Sequence, residues 1–207
     1  MPFEIKKRRL EKGFSLLEML IVIAILMIVG TAIWLFQFHI FSLNNVFTSE
    51  IGAQQEGRKA LKDMTTEIRP LSLSNGGAYP ISLANANSLT IFSDINNDGI
   101  KEQVRYFLSG AILKKGVITP AGNPLTYNPA SEIVKSMVHD IANGATPIFA
   151  YYDSNYDGTT APLPSPVNIP AVRLIKITLI IDHDPNRPPS PITITTQVSA
   201  RNLKDNI

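Results

Sequence analysis

Residues 19–36, MLIVIAILMIVGTAIWLF, are eighteen consecutive uncharged and mostly apolar residues, and apolar character continues in patches to Phe41. A helix of that length is enough to cross the hydrocarbon core of a bilayer. Lys6, Lys7, Arg8, Arg9 and Lys12 lie just before it, against only Glu4 and Glu11. The positive-inside tendency therefore keeps the first segment in the cytoplasm and exports everything beyond about Phe41, a single-pass topology in the cytoplasmic membrane. An ordinary secretory signal has a shorter apolar core with a small-residue cleavage site after it, whereas this run is followed by Gln37-Phe38-His39-Ile40-Phe41. The small residue in a cleavable setting lies on the other side, where Gly13 separates the basic leader from Phe14.

Once the leader is set apart, the other 194 residues carry fourteen basic against fifteen acidic side chains. No basic surface for nucleic acid is expected on them. The absence of cysteine excludes thiol catalysis, cysteine-ligated zinc and disulfides, so an exported domain here must hold together by packing alone. At 207 residues, the chain has room for one ordinary domain plus an extended element.

Glu18 stands at the head of the apolar run. A carboxylate in hydrocarbon is costly and is normally kept only where a partner neutralises it, although at headgroup level it costs little. The stretch GFSLLEMLIVIAIL, residues 13–26, resembles the processing and methylation segment of type IV prepilins and type II secretion pseudopilins. The likeness covers about the first thirty residues and rests on the leader charge, Gly13, Phe14, Glu18 and the apolar helix together. It implies cleavage between Gly13 and Phe14 by an aspartyl prepilin peptidase, and methylation of the new Phe14 amine. That amine, with a pKa near 8, is mostly cationic at neutral pH, and methylation keeps the charge. The resemblance further implies assembly with other pilin or pseudopilin subunits on an inner-membrane platform, after a period in membrane lipid. Glu18 of one subunit would then pair with the Phe14 ammonium of its neighbour and set the register, while Leu, Ile and Val faces supply the affinity. Many members carry a proline further along this helix; here Gly30 and Thr31 are the place for local melting, because no proline lies between Phe14 and Pro70.

Residues 49–69, SEIGAQQEGRKALKDMTTEIR, place Ile51, Ala60, Leu61, Met64 and Ile68 at helical spacing, and Pro70 ends the pattern. Residues 14–68 thus read as one nearly continuous helix, lipid-embedded to about residue 41 and amphipathic from 42 to 69. A coiled coil is the competing account, but no heptad is sustained over three or four repeats. Thirteen of fifteen prolines follow Leu71, and short strand-like runs appear at 88–93, 103–108, 111–118, 147–152, 171–182 and 192–201. Residues 131–138 fit a short helix or a strand equally. The expected fold is α+β and type IV pilin-like: a long N-terminal helix, transmembrane in its first half, packed on an antiparallel β-sheet domain spanning residues 70–207. The β-rich domain and the lack of cysteine are similar to J-type minor pseudopilins and the analogous minor pilins.

Asp94-Ile95-Asn96-Asn97-Asp98-Gly99 has oxygen ligands at positions one, three and five and glycine at six, like the start of a calcium loop. Glu102 falls at position nine, and the twelfth, normally a bidentate Glu, is Arg105. Asp153-Ser154-Asn155-Tyr156-Asp157-Gly158 repeats the first half of the spacing. Either stretch also serves as an Asx-rich turn between strands. No cofactor is required by this reading, and calcium at Asp94, Asn96 and Asp98 is the one candidate metal.

Proline-rich segments 120–129, 162–170 and 185–191 fit rigid surface loops, structural or ligand-binding. Catalysis is not expected, since His39, His139 and His183 form no HExxH arrangement and no GxSxG, Walker or dinucleotide loop occurs. His39 fits the interfacial end of the span, and Asp182, His183 and Asp184 fit a solvated loop. The function expected is that of a structural, minor pilin or pseudopilin. The rival is a membrane-anchored adhesin or sensor that never leaves the bilayer.

Overall fold

The computed structural model describes residues 13–184 and 190–203. Helix α1 runs Leu16–Ile68 and is followed by eight strands, all paired antiparallel. The chain divides into two compact units, Met1–Phe47 and Thr48–Ile207.

The first unit contains the apolar part of α1. Ser15 starts the helix: its hydroxyl oxygen accepts the Glu18 N–H at 3.2 Å, and its carbonyl accepts the Met19 N–H at 3.1 Å. A serine cap with glutamate three residues on is a capping-box spacing, and the acidic side chain in the first turn suits the positive end of the helix dipole. The helix continues through Gly30 and Thr31, where the Thr31 hydroxyl donates to the Met27 carbonyl at 2.7 Å. Leu16–Phe38, with mean hydropathy 2.8, is long and apolar enough to cross a membrane, and none of it is buried within the protein.

In the second unit, strands β1 (Ile81–Asn85), β2 (Ser88–Ser93), β3 (Glu102–Ser109), β4 (Ile112–Ile118) and β5 (Ile133–Val138) form one sheet in sequence order. Strands β6 (Phe149–Tyr152), β7 (Leu174–Ile181) and β8 (Ile192–Ser199) form a second, three-stranded sheet. The α+β architecture is as expected, but the strands divide over two sheets rather than one. The helical segment of this unit buries Ala60, Leu61, Met64 and Ile68 in a core shared with Leu89, Ile91, Val104 and Leu113 of the first sheet and Ile175, Ile177 and Val198 of the second. Ile51, assigned to the same stripe, is 56% exposed; the buried stripe begins further along the helix.

Gly57 explains how the helix comes so close to β7 and β8. A Cβ there would stand 2.7 Å from Ile181 Cδ1 and 2.9 Å from Ile194 Cδ1. Glu67, in the last turn, accepts hydrogen bonds from the Tyr106 hydroxyl and from Lys115 Nζ, tying the helix to β3 and β4. Burial, and then the Glu67 charge, push the Tyr106 hydroxyl well above the ordinary tyrosine range, so it stays a neutral donor.

Residues 131–138 resolve as a strand preceded by a short 3-10 turn at Pro129–Ser131. Pattern was ambiguous there because β5 is exposed on both faces over its first four residues, so no alternation is written into it. Strand β1 was not anticipated. Its burial runs buried, exposed, exposed, buried, exposed, with a register shift between Ile81 and Leu83 that breaks the two-residue period.

Candidate functional site

The processing segment is open. Phe14 is 76% exposed, and a Cβ at Gly13 would meet nothing within 4 Å. Gly13 also lacks the positive φ that would require glycine. The fold itself therefore makes no demand for glycine at this position, and the peptide bond joining it to Phe14 is sterically accessible to an enzyme. Four residues on, Glu18 lies in the first helical turn with its N–H held by Ser15. The structure thus brings Gly13, Phe14 and Glu18 together at one helix end; the leader residues before Gly13 lie outside the described residues.

Residues 8–34 match the family described as the prokaryotic N-terminal methylation motif. That match supports a type IV prepilin- or pseudopilin-type protein. No curated protein matches the chain. The motif, with the one apolar span among the described residues, suggests a membrane-anchored, single-pass protein, and the motif implies processing by prepilin peptidase and assembly with other pilin subunits.

Sequence reading missed the role of Ser15. The signal was present as Ser15-Leu16-Leu17-Glu18, the S-x-x-E spacing of a capping box. Glu18 thus has a reason to stand at this position within its own helix, besides any pairing between subunits.

The two Asx-rich loops differ. In the first, the Asp94 carboxylate accepts the Asp98 N–H at 3.1 Å and the Gly99 N–H at 2.9 Å. Asn96 Oδ1 accepts the Asp98 N–H at 3.1 Å, and Asp98 Oδ1 accepts the Ile100 N–H at 2.7 Å. Lys101 Nζ approaches Asp94 Oδ2 at 3.5 Å. Burial works to raise the Asp94 carboxyl, but the Gly99 N–H and the Lys101 charge outweigh it and hold the group below the ordinary range. Asn97 and Gly99, both at positive φ, make the turn tight. In the second loop, Asp157 Oδ1 alone takes the N–H and hydroxyl of both Thr159 and Thr160, at 2.7–3.0 Å. Those donors, the Thr160 hydroxyl first, hold Asp157 far below the usual carboxylate range. Among the described residues, no three His, Cys, Asp or Glu side chains are gathered to hold a metal ion.

Both histidines of the second unit have carboxylate partners far away in sequence. His139 Nδ1 lies 3.0 Å from Glu56 Oε1, and His183 Nδ1 lies 2.6 Å from Asp140 Oδ2. The His183 side chain stays 63% exposed, in keeping with the solvated loop that its sequence neighbours imply, and no local pattern announced either pair.

Two of the proline-rich loops are packed. In the first, the Tyr127 hydroxyl donates to the Lys101 carbonyl at 2.7 Å, and its ring lies 5.1 Å from that of Phe92. In the second, Leu163, Val167 and Ile169 pack on the core. Residues 185–189 of the third lie outside the described residues.

Proposed function

We propose that this prepilin is a minor pilin or pseudopilin, cut between Gly13 and Phe14, methylated on Phe14, and added through its N-terminal helix to a type IV pilus or type II secretion pseudopilus. The observation that carries this reading is that none of Leu16–Phe38 is buried within the protein. A largely apolar segment of 23 residues, none of it buried within the protein, needs an outside surrounding, either lipid or the helices of other subunits. The processing motif at their head favours the second destination. Gly30 supports it too. Glycine costs about 1 kcal/mol relative to alanine inside a helix, and nothing within 4 Å in the protein requires it.

In this mechanism the freed Phe14 ammonium seeks a carboxylate in a low-dielectric surrounding, and Glu18 of an adjacent subunit provides it. The pair sets axial register more than net affinity. The role is structural and non-enzymatic, with the N-terminus cytoplasmic, the second unit extracytoplasmic, and an inner-membrane platform as assembly partner. Mass spectrometry of the membrane-extracted protein tests the reading. A chain beginning at N-methylated Phe14 is expected, and an intact Met1 start would sink it.

A further inference from the structure

Glu102 separates the Asp94 loop from an ordinary turn. It is 1% exposed; its Oε2 accepts the Ile95 N–H at 3.1 Å, which places the carboxylate at the base of the loop. Its Oε1 is buried with no hydrogen-bond partner, as is the hydroxyl of Ser93, its register partner across β2 and β3. A buried carboxylate oxygen without a partner is expensive unless a cation or donor meets it. A cation is already drawn to this loop, since Lys101 Nζ stands 3.5 Å from Asp94 Oδ2 and 3.3 Å from the Gly99 carbonyl.

We propose that residues 94–102 form a calcium-binding β-hairpin loop, with side-chain oxygens from Asp94, Asn96 and Asp98 and a closing carboxylate from Glu102. The absence of a glutamate at position twelve does not count against it. The chain turns back into β3 at Glu102 itself, the ninth position, so the returning strand delivers its carboxylate three residues earlier than a helix would. Arg105 is employed elsewhere, paired with Glu132 at 2.7 Å and stacked 3.9 Å from the centre of the Phe107 ring. The donors are all oxygens, the set a hard cation prefers, and calcium tolerates irregular geometry that magnesium does not. Binding gathers the ligands: Asp94 exchanges the Lys101 amine for the ion, and Glu102 Oε1 gains the partner it lacks. The Asp153 loop has no equivalent of Glu102 and closes on its own threonines.

The test uses the full chain in neutral-detergent micelles, stripped with chelator and titrated with calcium chloride in a calorimeter. Saturable binding of one ion is expected, with Kd of about 10⁻⁴ to 10⁻³ M, the range of extracellular calcium modules. Asp98→Asn, at an exposed position, weakens binding at least about tenfold because it removes a ligand charge. Glu102→Gln does the same, with its fold checked by circular dichroism, while Asp157→Asn leaves binding unchanged. Absence of saturable binding in the millimolar range, undiminished binding by Asp98→Asn, or equal binding of magnesium would each overturn the proposal.

Discussion

Glu67 sits where the last turn of α1 meets β3 and β4, and its removal has a consequence that can be worked out in advance. Its side chain is 15% exposed and that of Lys115 is 18% exposed, while Tyr106 is fully buried. Glu67→Ala strands the Tyr106 hydroxyl, at about 1–3 kcal/mol for an unsatisfied buried donor. It also unpairs Lys115, and breaking a fully buried ion pair costs about 3–5 kcal/mol. Lys115 retains a route to water, so the ionic part falls well below that range, and a total of about 3–4 kcal/mol is expected. Glu67→Gln keeps one carbonyl acceptor and loses the charge, for about 1–2 kcal/mol. Tyr106→Phe removes the donor and leaves Glu67 with Lys115, for about 1 kcal/mol. Trp34 lies in the apolar span and does not report on this unit, so hydrogen exchange of the β3 and β4 amides in micelles is the suitable assay. At about 1.4 kcal/mol per tenfold, Glu67→Ala should lower protection more than a hundredfold. A cycle with Lys115→Met isolates the charge contribution. If Glu67→Ala lost less than about fivefold, or Glu67→Gln cost as much as Glu67→Ala, the linkage would be decorative and the reasoning wrong.

Two further outcomes are expected. Glu18→Ala should leave membrane insertion and cleavage largely intact and reduce incorporation into fibres, read by fractionation and by mass of the mature chain; normal incorporation would refute the pairing between subunits. The Asp140 carboxylate, by hydrogen bond and charge, raises the His183 pKa above the ordinary histidine value, with Asp184 adding to it and burial opposing. A raised folded pKa contributes stability that is full below the unfolded histidine pKa, near 6.5, and is lost as pH rises through the folded value. The wild-type chain should therefore lose a small increment of stability as pH rises from the unfolded value, near 6.5, through the raised folded value, and His183→Gln should not; identical pH profiles would remove the contribution.

The parts legible in the sequence are those written as continuous runs or periods. The span, the methylation motif, the helical positions Ala60, Leu61, Met64 and Ile68, and the alternation in β8 all follow from local pattern. What was not legible depends on partners distant in the chain. Glu67 meets Lys115 across 48 residues, and His139 meets Glu56 across 83. Gly57 reads as an ordinary helix defect until Ile181 and Ile194 arrive beside it. Glu102 is the instructive middle case. Its ninth position was visible, but the expectation of a twelfth ligand belongs to a loop between helices, and only the start of β3 shows where this chain turns back.

The bareness of Leu16–Phe38 also bears on what transfer between surroundings would cost. A segment with no residue buried within the protein keeps its own helical hydrogen bonds if it exchanges lipid for protein neighbours. The exchange is then close to an even trade of dispersion contacts, apolar on both sides, and its direction is decided by small differences in packing and charge. Under the proposed function, such a segment would pass from one medium to the other without refolding.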